Sequence, residues 1–150
     1  MTSEFAVAVH ALVFLNHKGD TQSSEAVAKN VCTNPARVRK VMARLKRAGL
    51  VQTKEGLDGG YHFIKDPARV DLKQVAEAVD ARLVSAAWRP GSGEMDCLIA
   101  SGMADVLDGI YERLDEICKQ KLASVTIADI DREIFGVPDI SVTSSNSLSN

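Results

Sequence analysis

The apolar positions change their spacing several times along the chain, and each change predicts an element. Phe5 to His17 is apolar enough for a buried helix, and Gly19-Asp20 ends it. Ser23 or Ser24 can cap a short second helix, about Ser24 to Asn30, because a serine hydroxyl accepts from a free first-turn amide. Glu25 then sits where the helix dipole favours an anion. After a tight Val31-Cys32-Thr33 connection, Val38, Val41, Met42 and Leu45 recur at i, i+3, i+4 and i+7, the signature of a one-sided helix. Asn34-Pro35 starts that helix with a capping side chain and a preset φ. Gly49 terminates it.

The period then shortens. Leu50 to Thr53 and Gly60 to Ile64 read as two strands joined by the charged, glycine-bearing turn Lys54 to Gly59, hence a hairpin. Asp71 caps a helix to about Val79 with the apolar stripe Leu72, Val75, Ala76 and Val79. Arg89 to Glu94 is a loop. Cys97 to about Leu122 then reads as a long helix. Its apolar positions Ile99, Met103, Val106, Ile110, Leu114 and Ile117 are spaced 4, 3, 4, 4 and 3, which approximates a heptad seam. A last short helix is expected from Thr126 to Phe135, followed by a Ser- and Asn-rich, disordered tail. Helix, helix, turn, helix and hairpin in that order make a winged helix-turn-helix. The expected fold is therefore mainly α with a small β-hairpin. Its expected division is a winged helix-turn-helix over 1–80, a linker or sensor loop over 81–96, dimerisation and C-terminal helices over 97–135, and a tail over 136–150.

Composition narrows the class. The 150 residues are 45% hydrophobic and 25% charged, as in ordinary soluble domains. No apolar run approaches the roughly 20 residues of a membrane helix, so a cytosolic protein with no membrane partner is expected. The net charge of -2 hides an asymmetry. Lys18 to Arg69 carries +6 and Asp71 to Asp139 carries −7 by count of Lys+Arg and Asp+Glu. A basic half suits a polyanion.

The third helix concentrates that charge. Arg37, Arg39, Lys40, Arg44, Lys46 and Arg47 share it, with no acid between Asn34 and Gly49. At about 100° per residue, Lys40 and Arg47 point away from the apolar face. Such a helix gains no i,i+4 ion pairs of its own, so its counter-charge is sought outside it. The DNA major groove admits a helix, and the N-terminal turns of a recognition helix meet base edges. Those positions are Ala36, Arg37, Arg39 and Lys40. Arginine bonds guanine in a bidentate way, and Ala36 can meet a thymine methyl. Arg44 and Lys46 are expected at phosphates. Ser24 and Asn34, at two helix starts, complete the helical contact set. On the wing, Lys54 is expected over a minor groove or backbone, with Gly59 and Gly60 permitting close approach.

Ser23-Ser24-Glu25-Ala26-Val27-Ala28, Ala48-Gly49-Leu50-Val51, Gly56-Leu57-Asp58-Gly59-Gly60-Tyr61 and Asp71-Leu72 together resemble the Rrf-two family of bacterial winged-helix transcription regulators, relatives of IscR and NsrR. The resemblance spans about residues 5 to 80, and the long helix extends it to about Ile130. It implies a homodimer, repressor or activator, on a dyad-symmetric site in double-stranded DNA, dimerised through Ile99, Met103, Val106, Ile110, Leu114 and Ile117. A repressor is the expectation here. The family's recognition helix often carries Tyr-Leu-Glu where this chain has Arg37-Val38-Arg39, which implies that different bases are read. Its wing often carries Arg before the first glycine, where this chain has Glu55 beside Lys54.

Cluster-binding members hold three cysteines before the long helix, whereas this chain has only Cys97 there. Three or four Cys ligands are the usual requirement, so neither an iron–sulfur cluster nor another metal or cofactor is expected. Cys32 sits before the cationic helix, an environment in which thiols become reactive. Cys32 and Cys97 are the candidate redox sensors, and Cys118 on the long helix reads as structural. His10, His17 and His62 are scattered and read as structural. Trp88 is expected either to line a small-molecule pocket or to anchor its loop. No nucleophile–base pair or phosphate loop suggests an enzyme. A winged-helix protein–protein adaptor that has lost DNA binding is the alternative, favoured mildly by Glu55 and Asp58.

Overall fold

The computed structural model describes residues 2–136. Beyond Gly136 the expected tail lies outside the described residues. Helix α1 spans Thr2–Lys18, α2 Ser24–Val31, α3 Pro35–Arg47, β1 Val51–Lys54, β2 Gly60–Phe63, α4 Leu72–Ala78, α5 Leu98–Leu122 and α6 Ile127–Phe135. This is the winged helix-turn-helix, followed by the long helix, that the apolar spacing predicts.

Each start is chemically specified. The Ser23 hydroxyl accepts from Ala26 N–H at 3.0 Å, and the Asn34 side chain accepts from Arg37 N–H at 2.8 Å. Asp71 and Gln74 form a reciprocal capping box. The end of α3 is equally specified. Gly49 has φ +78, Gly49 N–H donates to Lys46 O at 2.9 Å, and Leu50 N–H donates to Leu45 O at 3.0 Å. This is the Schellman pattern, with Leu45 and Leu50 both buried. It draws Leu50 out of the first strand, which therefore begins at Val51.

The core is aliphatic. Ala8, Ala11, Leu12 and Leu15 of α1 meet Val27, the Val38, Val41, Met42 and Leu45 face of α3, and Val75 and Ala76 of α4, all buried. The antiparallel hairpin pairs Val51 with Phe63 and Lys54 with Gly60. Gln22 joins it through reciprocal backbone bonds with Tyr61 at 2.9 and 2.8 Å, tying the wing to the start of α2. A Cβ on Gly60, whose φ is +151, would run into the Gln22 carbonyl. One on Gly59 would run into the Lys54 carbonyl. Both glycines have a packing reason to be there, beyond any approach to a ligand.

Between α4 and α5 the chain is irregular, and one buried carboxylate organises it. Asp115 on α5 accepts from the Leu83 and Val84 amides at 2.6 and 2.9 Å and pairs with Lys119 at 3.1 Å. Burial pushes its pKa up, but the amides of Val84 and Leu83 and the Lys119 ammonium outweigh that and hold it below the usual carboxylate range. A lowered folded-state pKa adds stability above the unfolded value, which is lost as pH falls through the folded one. Asp115→Ala is therefore expected to cost about 1–3 kcal/mol at neutral pH. The deficit should shrink below about pH 4, measured by thermal melting at both pH values. An equal deficit at the two would refute this role. Trp88 in the same segment is 78% exposed, so it does not anchor the loop.

Candidate nucleic-acid interface

The buried face of α3 fixes which side chains look outward. Ala36, Arg39, Lys40, Lys46 and Arg47 are exposed, as is the capping Asn34, and Arg37 is half-buried. Ser24, at the first turn of α2, stands beside α3, and its Oγ accepts from Arg39 Nη1 at 3.2 Å. Arg39 also pairs with Glu25 at 3.5 Å, so its guanidinium is held at the α2–α3 edge. Among the described residues, Arg37, Lys46 and Arg47 make no ion pair. Lys46 Nζ donates to Thr53 Oγ1 at 3.0 Å, linking the helix to the wing.

Lys46, Lys54, Ser23, Ser24, Gly59 and Gly60 line one open groove between α2, α3 and the wing. Glu25, Glu55 and Tyr61 share it. Burial raises the Tyr61 phenol pKa, with nearby Arg39 opposing and Glu25 adding to the shift. The groove collects five of the residues assigned to DNA from sequence, Ser24, Lys46, Lys54, Gly59 and Gly60. Leu57 is fully exposed at the tip of the wing. It was not singled out by sequence, and its apolar character in a charged turn was the available signal.

One sequence expectation fails. Arg44 does not reach outward to phosphate. Its Nη1 donates to Val79 O at 2.7 Å and pairs with Glu4 at 3.0 Å, and the side chain is half-buried. Glu4 also pairs with Lys40 at 3.5 Å. The idea that the helix finds its counter-charge only outside the protein is corrected with it. Glu4 of α1 neutralises Arg44 and shares Lys40, and Glu25 of α2 shares Arg39, while the remaining cations stay free to meet an external anion.

Cys32 lies in the turn between α2 and α3. It caps the C-terminus of α2 in a left-handed conformation, φ 63, with its thiol exposed and directed at the Lys29 carbonyl at 3.7 Å. Cys97 caps α5 and is exposed, and Cys118 is half-buried on the same helix. Cys97 and Cys118 stand 21 positions apart, which on a helix is roughly 30 Å. Among the described residues no three His, Cys, Asp or Glu side chains gather as metal ligands. His10 bonds Asn30 at 2.8 Å, and His17 stacks on Phe135. The residues Ile99, Met103, Val106, Ile110, Leu114 and Ile117 of α5 are all exposed.

The chain that builds this capped cationic helix and wing matches the model of the Rrf2 family, described as iron-dependent transcriptional regulators, over residues 1–133. The chain belongs to the Rrf2 family. It is a DNA-binding transcription regulator and not an enzyme. YwnA of Bacillus subtilis, named as an HTH-type transcriptional regulator, is 30% identical over 137 residues, covering 90% of this chain and 99% of YwnA. Among solved structures, a transcriptional regulator from Lactobacillus plantarum superposes with a TM-score of 0.76 at 23% identity, covering 90% of this chain and 91% of its own. CymR, the global cysteine regulator of B. subtilis, gives 0.63 at 15% identity over 89% and 96%. At those identities the structures establish the fold alone. No helix among the described residues is long and apolar enough to cross a membrane.

The family description speaks of iron, and the residues of this Rrf2 chain do not fit a cluster. A cluster needs several thiolates converging on one point. The three cysteines here lie on the α2 cap, the α5 cap and the α5 shaft.

Proposed function

We propose that this Rrf2 regulator acts as a homodimeric repressor that reads a dyad-symmetric operator without an iron–sulfur cluster. Dimerisation uses the α5 seam, and a thiol at Cys32 or Cys97 answers oxidants. The observation that carries the reading is the outward face of α3, where Arg37, Lys46 and Arg47 remain unpaired with protein acids among the described residues. Arg39 and Lys40, shared with Glu25 and Glu4, flank it. Arg37 and Arg39 lie in the N-terminal turns that meet base edges, Lys46 and Arg47 at the end that meets phosphate. Ser24, Asn34, Ala36, Lys54, Gly59 and Gly60 surround them. An α5 dimer places two such helices about one turn of DNA, roughly 34 Å, apart. Bound across a promoter, a dimer of that span occludes it, which is repression.

Operator selection in vitro followed by fluorescence anisotropy tests this. Arg39→Ala should cost about 1–3 kcal/mol and relax one base position, whereas Arg47→Ala should weaken all sequences alike and reduce the salt slope by about 1. The same titration with peroxide should lose its response in Cys32→Ser or Cys97→Ser. Salt-insensitive binding, or Arg39→Ala indistinguishable from Arg47→Ala, would defeat the assignment. An iron-dependent visible absorption band from anaerobically purified protein would defeat the cluster-free part alone.

A further inference from the structure

A cavity of about 640 Å³ lies away from the DNA face, between α1 and α6. That is the size of a small-molecule site. Phe5, Val9, Val13, Ile130, Ile134 and Phe135 supply apolar walls. Its polar rim holds Lys18, its one formal charge, beside His10, His17 and Asn30, with no acidic residue among those that line it. The rim is also built. His17 stacks on Phe135 with ring centroids 4.1 Å apart and planes within 8°. The Lys18 ammonium lies over Phe14 at 5.8 Å, and His10 Nε2 meets Asn30 Oδ1 at 2.8 Å. An apolar chamber with a cationic mouth complements a molecule that is greasy at one end and anionic at the other. Ile134 and Phe135 remain more than half exposed beside it, and so offer further apolar surface to such a molecule.

We propose that this cavity is an effector site for a small apolar carboxylate, an aryl- or alkyl-carboxylic acid, whose anion sits at Lys18. Asn30 belongs to α2, which packs on the recognition helix α3. A ligand that engages the His10–Asn30 edge therefore bears on the spacing of α1, α2 and α3. This regulatory half rests on the DNA-binding reading, whereas the site itself does not.

The full chain is titrated with anilinonaphthalene sulfonate, and the bound dye is displaced with phenylbutyrate, decanoate and the uncharged phenylbutanol. Both acids should displace it, and the alcohol should do so at least tenfold less well. Val9→Trp, or Ile134→Trp from the opposite wall should Val9→Trp misfold, should abolish the displaceable fraction. Lys18→Gln should weaken the acids tenfold and leave the alcohol unchanged. Displacement that survives both tryptophan variants, or that vanishes instead in Val106→Asp on the α5 seam, would overturn the site. So would dye binding lost at high protein concentration as the mass of the assembly grows, which would assign the cavity to a second copy. Phenylbutyrate should also shift operator affinity at least threefold. Displacement with no such shift would overturn the regulatory half only, and the absence of operator binding by the ligand-free protein would overturn the DNA reading only.

Discussion

Ile110→Asp is expected to yield a monomer and to lower operator affinity by about 10²- to 10⁴-fold, the range by which linking two modules multiplies avidity. The reason lies in what α5 leaves uncovered. Its seam residues lie within about 80° of one another around the helix axis at 100° per residue. All six are exposed, Ile99 by 69% and Val106 by 60%. Isolated apolar side chains on a surface are ordinary, but a contiguous stripe along a 25-residue helix marks an interface. Ile110 stands at its centre. An aspartate there would be buried without a partner, at a cost of several kcal/mol per ion, and a symmetric interface would suffer it twice. The control is Glu112→Ala, which lies about 200° around the same helix, where Glu112 pairs with Arg82 at 3.8 Å. It should remain dimeric. Light scattering reads the mass and anisotropy the affinity. A wild-type protein that is already monomeric, or an Ile110→Asp protein that stays dimeric, would remove α5 from the assembly.

The legible parts of this chain are those whose determinants are close in sequence. Helix α3 could be placed almost to the residue because its cap, its Pro35 start, its apolar period and its Gly49 stop are all local. The same holds for the Asp71 box and for the hairpin, whose strands shift by one residue: Leu50 is taken by the Schellman bond to Leu45, Lys54 joins the first strand and Ile64 leaves the second. What was not legible depends on partners distant in the chain. Nothing near Arg44 announces that Glu4, 40 residues earlier, and the Val79 carbonyl, 35 residues later, claim its guanidinium. A cation count treats it like Arg47, although the helix turns it toward α1 and α4. Helix α1 is so evenly apolar that its period does not say which face meets the core and which meets α6, and the cavity between α1 and α6 was hidden for that reason. The sequence places Cys32 before α3. Backbone geometry makes it equally the left-handed end of α2, and that is where its thiol points.

The two sides of α3 can be separated by mutation. Leu45→Ala is expected to destabilise the fold by about 2–5 kcal/mol, the usual range for emptying a fully buried leucine site. Leu45 has no exposed surface. It packs within the cluster formed by α1, α3 and α4, and its carbonyl receives the Leu50 amide that closes the helix. The site has little room to collapse, because Met42, Val41 and Leu12 around it are themselves close to fully buried. Arg47, two positions on, is exposed and makes no ion pair among the described residues. Arg47→Ala should change stability by no more than about 0.5 kcal/mol. Below its own melting range, Leu45→Ala should bind operator with nearly the wild-type salt slope, because no phosphate contact has been removed. Arg47→Ala should do the reverse, keeping the melting temperature and reducing the salt slope by about 1. Urea unfolding and salt-titrated anisotropy on both variants decide the matter. If Arg47→Ala proved as destabilising as Leu45→Ala, or if Leu45→Ala altered the salt slope while folded, then the division of α3 into a face that holds the fold and a face that meets the phosphates would be wrong.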